Sequence, residues 1–402
     1  MTDDHPRRAE RLLAPAAFAT ALGNNVQLIA GALLMIREER TMMAVGWLFI
    51  AVAAPQAVLS PYFGRLADRF DRRRLWIGCD VMSAGLALAL PLWLVSGGAT
   101  GVGVYGANFA LAVVAALFFP ASGALIKERV PAAKLRRFNA SYEMATQAGM
   151  LLSATVGGLA VQAFGAVPLL VFNAVTFGVS AVCVAAVGRK PSTVGASRAV
   201  PVQAEGTRTA EVPMLRVILL YAQGSVVVTV FNALLPKFVL GELGHGPGAF
   251  GAVDALGSLG FLAATAAYRW AARRHPDLRI AIAGFLVTDV FLVLQPHFGL
   301  AGLFVGVPLG AFLFGQARIA SRGLLLATVD EKGAGRAFGL ANGLGLAATI
   351  AAMLLVAAIT DHTDTRYGFA AIAALGAAAT VGASLVGRRI ASPAPVEQPV
   401  AA

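Results

Sequence analysis

Glu143, Asp254 and Asp289 are among the few acidic residues that fall inside long apolar runs of a 402-residue chain that has only 21 Asp and Glu in all. A carboxylate held away from water is costly unless it is hydrated, paired or protonated, so each of the three is a candidate proton carrier. Asp254 has Ser258 one helical turn further on and glycines around it, a setting that suits a wet cavity. Asp289 is flanked by Val287, Val290 and Phe291, and Glu143 shares one helical side with Asn139 and Gln147. Arg318 and Arg322, one turn apart, are expected to approach that side, either as a gate network or as arginines reaching for the interface.

Uncharged polar residues form a second set. Asn24, Gln27 and Gly31 fall at i, i+3 and i+7 and so share a helical face, while Asn108, Gln223 and Asn232 stand singly in apolar runs. Such groups suit hydrogen bonding to a small organic molecule, and Asn24, Gln27, Asn108, Gln223 and Asn232 are the candidate cavity residues. Helix packing accounts for the same residues. Gly149, Ser153, Gly157 and Gly158 make a small-residue stripe that lets helices approach closely.

The densest charge cluster runs from Gly64 through Arg65, Asp68, Arg69, Asp71, Arg72, Arg73 and Arg74 to Leu75. Without a side chain, Gly64 permits close helix approach. Asp68 suits the positive N-terminal end of another helix, an interaction of about 0.3–2 kcal/mol. The arginines can pair with Asp68 or Asp71 or with lipid phosphate. A plain solvated loop that sets membrane orientation is the alternative.

The elements that position these residues are apolar helices. The chain is 58% hydrophobic and 13% charged, with a mean hydropathy of +0.73. A soluble domain carries about a quarter charged residues, so the solvent implied is lipid. Runs of about 20 apolar residues, the length of a bilayer crossing, predict an all-α membrane protein of 12 transmembrane helices near 12–36, 43–63, 75–97, 102–126, 137–163, 166–188, 214–240, 247–270, 278–297, 299–325, 336–360 and 367–387. The expected organisation is a cytoplasmic tail 1–11, a six-helix bundle 12–188, a Pro/Ser/Thr-rich linker 189–213, a second bundle 214–388 and a disordered tail 389–402. Arg7, Arg8 and Arg11 before the first run resemble a signal peptide, but no small-residue cleavage site follows, and the run is read as a retained span. Of the 32 Lys and Arg, only Arg37, Arg40, Lys237 and Arg366 fall on one side of the predicted membrane. Basic residues gather on the cytoplasmic side, so both termini are expected inside and the protein in the cell (inner) membrane.

The formal charge of +11 is dealt out between the runs rather than gathered, which argues against nucleic acid as a partner. Cys79 and Cys183 are isolated, which predicts neither a disulfide nor a metal site. There is no GxxxxGK[ST], HExxH or GxSxG, and no segment between runs has room for a catalytic domain. An enzyme is therefore not expected, nor is a cofactor.

Equal span counts on either side of the linker suggest an internal repeat. Val130–Phe138 (VPAAKLRRF) and Val329–Phe338 (VDEKGAGRAF) are its clearest trace, before the fifth and eleventh runs. With Gly64, Asp68, Arg69, Arg72 and Arg73 between runs two and three, the chain resembles the major facilitator superfamily. The Asp-Arg-Phe-Asp-Arg-Arg-Arg form is similar to its macrolide-efflux and enterobactin-exporter branch, as are Asp80, Phe119-Pro120-Ala121, Phe172-Asn173-Ala174, Ser180-Ala181 and Asn232 to Pro236. Three departures stand out. Asp71 takes a common glycine position, Ser153-Ala154 replaces a Gly-Pro pair, and Leu22-Gly23-Asn24 lacks an acid found in many exporters.

The resemblance implies two six-helix halves rocking around a midplane site, with Asp68 at the start of span eleven as a conformational latch. It implies export of a small amphiphilic molecule (drug, siderophore or secondary metabolite) in exchange for protons, by a monomer in the lipid bilayer. An uptake symporter and a non-transporting receptor or accessory protein are the alternatives.

Overall fold

A computed structural model describes residues 4–39, 42–188 and 213–390. The linker residues 189–212 and the tail 391–402 lie outside the described residues. Twelve α-helices are found among the described residues: α1 Asp4–Glu39, α2 Met42–Arg69, α3 Arg72–Val95, α4 Thr100–Arg129, α5 Ala132–Phe164 and α6 Ala166–Ala186, then α7 Met214–Pro236, α8 Pro247–Arg274, α9 Asp277–Leu294, α10 Gly299–Thr328, α11 Ala334–His362 and α12 Thr365–Ile390. Eight stretches among them are long and apolar enough to cross a membrane, one running through both α9 and α10. α1, α2 and α5 are not among these eight.

The charged start expected as a tail is helical from Asp4, and Ala9 and Leu13 on it are fully buried. Hydropathy marks where a helix meets lipid, not where its hydrogen-bond ladder begins. Between α2 and α3, Asp71 accepts backbone hydrogen bonds from Arg73 (3.0 Å) and Arg74 (3.1 Å) and so caps α3. The residue that departs from the family's glycine thus starts a helix, a role worth about 1 kcal/mol. Pro236 ends α7 and is followed by a π-helical turn, Lys237–Glu242. Proline has no N–H to give the carbonyl four residues back, so the ladder must shift there.

α1 packs on α5 and α6, α2 on α4, and α3 on α4 and α6; in the second half α7 packs on α11 and α12, and α10 on α8 and α9. Between the halves, α2 lies along α11, and α5 meets α8 and α10. A buried apolar cluster crosses the halves at the end carrying the α2–α3 hinge, joining Leu13, Trp76, Phe138 and Tyr142 to Tyr221, Leu325, Val329 and Phe338.

The α2–α11 contact is backbone on backbone. A Cβ on Gly64 would lie 2.5 Å from the carbonyl oxygen of Gly335. One on Gly339 would lie 2.2 Å from the Ser60 carbonyl, and one on Gly343 2.8 Å from the Ala57 carbonyl. Gly335, Gly339 and Gly343 recur every four residues and so form one smooth face. Asn342 donates to Ser60 Oγ (2.9 Å) on the same interface.

Candidate functional site

Asp68 ends α2 facing the first turn of α11, where its carboxylate accepts the N–H of Gly335 (2.7 Å) and of Arg336 (2.9 Å). Those N–H groups have no partner inside their own helix, so the acid meets both unsatisfied donors and the positive dipole end. Arg72, buried beside it, donates to Glu128 of α4 (3.2 Å) and to the Glu331 carbonyl before α11. Arg73 donates to the Val184 (3.2 Å) and Ala185 carbonyls, capping the C-terminus of α6. Arg69 is exposed.

Other links between the halves lie at the same end. Lys127 of α4 donates to the Leu326 carbonyl of α10 (2.7 Å). Arg136 of α5 pairs with Asp277 at the start of α9 and donates to the carbonyls of Ala272 and His275 at the end of α8. Tyr268 also donates to Asp277. Deeper in, Asn139 donates to the Ile319 carbonyl (3.0 Å), and Arg322 pairs with Glu143 while lying 4.2 Å over the Tyr142 ring. Glu143 and Arg322 are both buried, and removing one partner of such a pair typically costs about 3–5 kcal/mol. These side-chain links between the halves, Asn342–Ser60 included, all lie toward the hinge end.

Above this floor lies a cavity of about 270 Å³. α7 contributes Phe231 and Asn232, α8 contributes Asp254, Ser258 and Phe261, and α9 and α10 contribute Thr288, Phe291 and Phe314. The first half supplies Asn25 from α1 and Gln147 and Met150 from α5. Asp254 is exposed to this space and is the one titratable residue on its wall among the described residues.

Of the five residues expected to line a cavity, Asn232 does so and four do not. Gln27 is buried and accepts from Asn173 of α6 (3.1 Å). Asn108 donates to its own helix at Val104 (2.8 Å), against Gly31. Gln223 accepts from Thr380 of α12 (2.8 Å), and Asn24 is exposed but off the wall. Spacing put Asn24, Gln27 and Gly31 on one face, but packing turns Gln27 and Gly31 into the first bundle, where Gly23 too meets α6. The neighbouring Asn25 instead reaches the cavity and donates to Ser153 and Met150 on α5.

Gly149 and Ser153 of the small-residue stripe pack on α1, where a Cβ on Gly149 would lie 2.6 Å from the Phe18 carbonyl. Gly157 and Gly158 continue in α5. Asp289 is buried off the cavity against Gly376 of α12, and neither carboxylate oxygen has a hydrogen-bond partner among the described residues. Asp254, Asp289 and Glu143, grouped by type in the sequence, therefore occupy three different surroundings. Asn25, Arg136 with Asp277, and the α11 glycines were not singled out by sequence. Only the glycines carried a readable signal, their four-residue spacing.

The sequence profile of the Major Facilitator Superfamily matches residues 13–223. Among characterised proteins, the chain is similar to the multidrug efflux pump Tap of Mycobacterium tuberculosis (strain ATCC 25618 / H37Rv) and of Mycobacterium bovis (strain BCG / Pasteur 1173P2). Each match is 27% identical over 179 residues, which is 42% of this chain and 42% of the relative. In fold, it is similar to a bacterial homologue of the iron transporter ferroportin in the outward-facing state, with a TM-score of 0.74, 18% identity and coverage of 94% of this chain and 99% of that one. It is also similar to FucP in the outward conformation (TM-score 0.68, 13% identity, 96% and 99% coverage) and to the human organic anion transporter MFSD10 (0.71, 15%, 95% and 99%).

Proposed function

The chain belongs to the Major Facilitator Superfamily, and from that premise we propose that it exports a small amphiphilic molecule from the cytoplasm in exchange for protons. One observation carries the reading. Among the described residues, a cavity with a single acid on its wall lies between the halves, and the links described between the halves gather toward the hinge end. Efflux as the direction is supported by the similarity to the Tap pumps, which covers 42% of each chain.

On this reading all twelve helices cross the cell membrane as two six-helix bundles, 12–188 and 214–388. The hinge end faces the cytoplasm because nearly all Lys and Arg lie there, and both termini are inside. The closed hinge end is then the outward-open state, in which Asp68 latches α11 and Glu143–Arg322 seals the floor. A proton reaches Asp254 from outside; the bundles then rock about the cavity, the interlocks part, and cargo enters from the cytoplasm. The protein works as a monomer.

Inverted membrane vesicles with an acidified lumen, supplied with a panel of amphiphilic drugs, siderophores and metabolites, test the proposal. Accumulation of at least one compound that collapses with the proton gradient is expected. No gradient-dependent flux across the panel overturns the proposal. Asp254→Asn is expected to remove the pH dependence of flux, and persistence of that dependence places the proton carrier elsewhere.

A further inference from the structure

Among the described residues, the cavity wall carries one formal negative charge and no positive one. Asp254 projects into it from α8, while the surfaces facing it bear only neutral groups: Asn25 from α1, Gln147 from α5, Asn232 from α7 and Thr288 from α9. The other charged residues on the surrounding elements are not among the residues that line it. Glu143 is paired with Arg322 below the floor, Arg318 lies half-buried by Gly224 of α7 one turn beyond Phe314, and Asp289 faces Gly376. On the turn after α7, Lys237 pairs with Asp361, and Glu242 accepts from the Thr365 N–H. On α8 itself, Arg269, Arg273 and Arg274 lie in its last two turns, at the hinge end.

Around Asp254 the wall is aromatic. Phe231, Phe261, Phe291 and Phe314 all line the cavity, with the rings of Phe261 and Phe314 6.1 Å apart and tilted by 53°. Ring faces attract cations and repel anions, and a lone carboxylate in a wall of low polarity does the same. An anionic cargo would meet both, with no Lys, Arg or His among the described residues of the wall.

We propose that the cargo is an organic cation with an apolar, ring-bearing body, held by Asp254 through its charge and by the phenylalanines through its body, and that this cation and a proton exclude one another at Asp254. Within the broad amphiphile class this selects amines and quaternary cations and rejects carboxylate- or catecholate-bearing siderophores. It also makes the exchange of a singly charged cargo for one proton electrically silent. The inference rests on the export reading for the direction of movement, but binding tests it without transport.

The test uses the full chain in lipid nanodiscs, with radiolabelled tetraphenylphosphonium and the isosteric anion tetraphenylborate as probes and empty nanodiscs as blanks. The expected result is saturable binding of the phosphonium alone, weakening as the pH falls, with one proton released per cation bound. Asp254→Asn is expected to weaken binding roughly tenfold or more. Asp254→Glu should retain most of the binding, and because Asp254 is exposed to the cavity neither variant removes a packed side chain. Equal or tighter binding of tetraphenylborate, unchanged phosphonium binding in Asp254→Asn, or binding of neither ion overturns the proposal. Phosphonium binding without gradient-driven flux in vesicles would sink the export reading alone. Gradient-driven flux of neutral or anionic compounds without phosphonium binding would sink the charge selection alone.

Discussion

Arg136 and Arg336 hold matching places at the starts of α5 and α11, two residues before Phe138 and Phe338, and each faces an acid from the opposite half. Arg136 meets Asp277 through its guanidinium, whereas Arg336 meets Asp68 through its backbone N–H. The two interlocks use different chemistry at one position of the repeat, and both favour the state closed at the hinge end.

Asp68→Asn keeps the side chain's size but loses the charge that two N–H groups bind. Hydrogen bonds to a charged group contribute about 1.5–3 kcal/mol, so the closed state should lose roughly tenfold or more of its population relative to the open one. Flux is expected to fall by about that factor while membrane abundance stays near that of the unaltered protein. Accessibility of a cysteine placed at the hinge end should rise. Normal flux and unchanged accessibility would remove Asp68 from the role of latch.

Arg136 tests the second interlock. It reaches Asp277 and the carbonyls of Ala272 and His275 from three separate nitrogens, a spread that a planar guanidinium spans and a single ammonium nitrogen does not. Arg136→Lys should therefore behave almost like Arg136→Ala in a hinge-end accessibility assay. A lysine variant indistinguishable from the unaltered protein would reduce the contact to simple charge pairing.

The α2–α11 seam predicts a packing effect. A methyl on Gly339 has no room against the Ser60 carbonyl, whereas Gly78 has nothing within 4 Å of where its Cβ would stand. Gly339→Ala should destabilise by about 1–3 kcal/mol, the usual cost of overpacking. Gly78→Ala should be neutral or slightly stabilising, since alanine is the better helix former. Thermal unfolding in detergent compares them, and equal effects would contradict the close approach.

How much of this was legible beforehand depended on what each feature needs. The all-helical fold and the hinge are written in local patterns, namely apolar runs and the stretch from Gly64 to Arg74. The cavity is not local: Asn25 reaches it and Asn24 does not, a difference of one residue on α1 that only the packing against α5 and α6 decides. Arg136 and Asp277 are ordinary loop-edge charges until two distant turns meet. Gln223 and Asn108 had suitable chemistry, but each bonds within its own half, to Thr380 and to the Val104 carbonyl.

Glu143 and Arg322 should show strong coupling in a double-mutant cycle. Glu143→Gln leaves a buried guanidinium beside Tyr142 without its carboxylate, and Arg322→Met leaves a buried carboxylate alone. Each single change should cost about 3–5 kcal/mol of stability, because an uncompensated charge stays in the floor. The double variant removes both charges and replaces them with neutral groups of similar volume, so it should recover much of that loss. Melting of the four proteins measures the coupling. Transport separates the two roles of the pair: if it serves only packing, the double variant regains flux along with stability. If it gates the floor, stability returns while the hinge end stays leaky and coupled accumulation remains low. Additive single effects would show that the charges do not act as a pair at all.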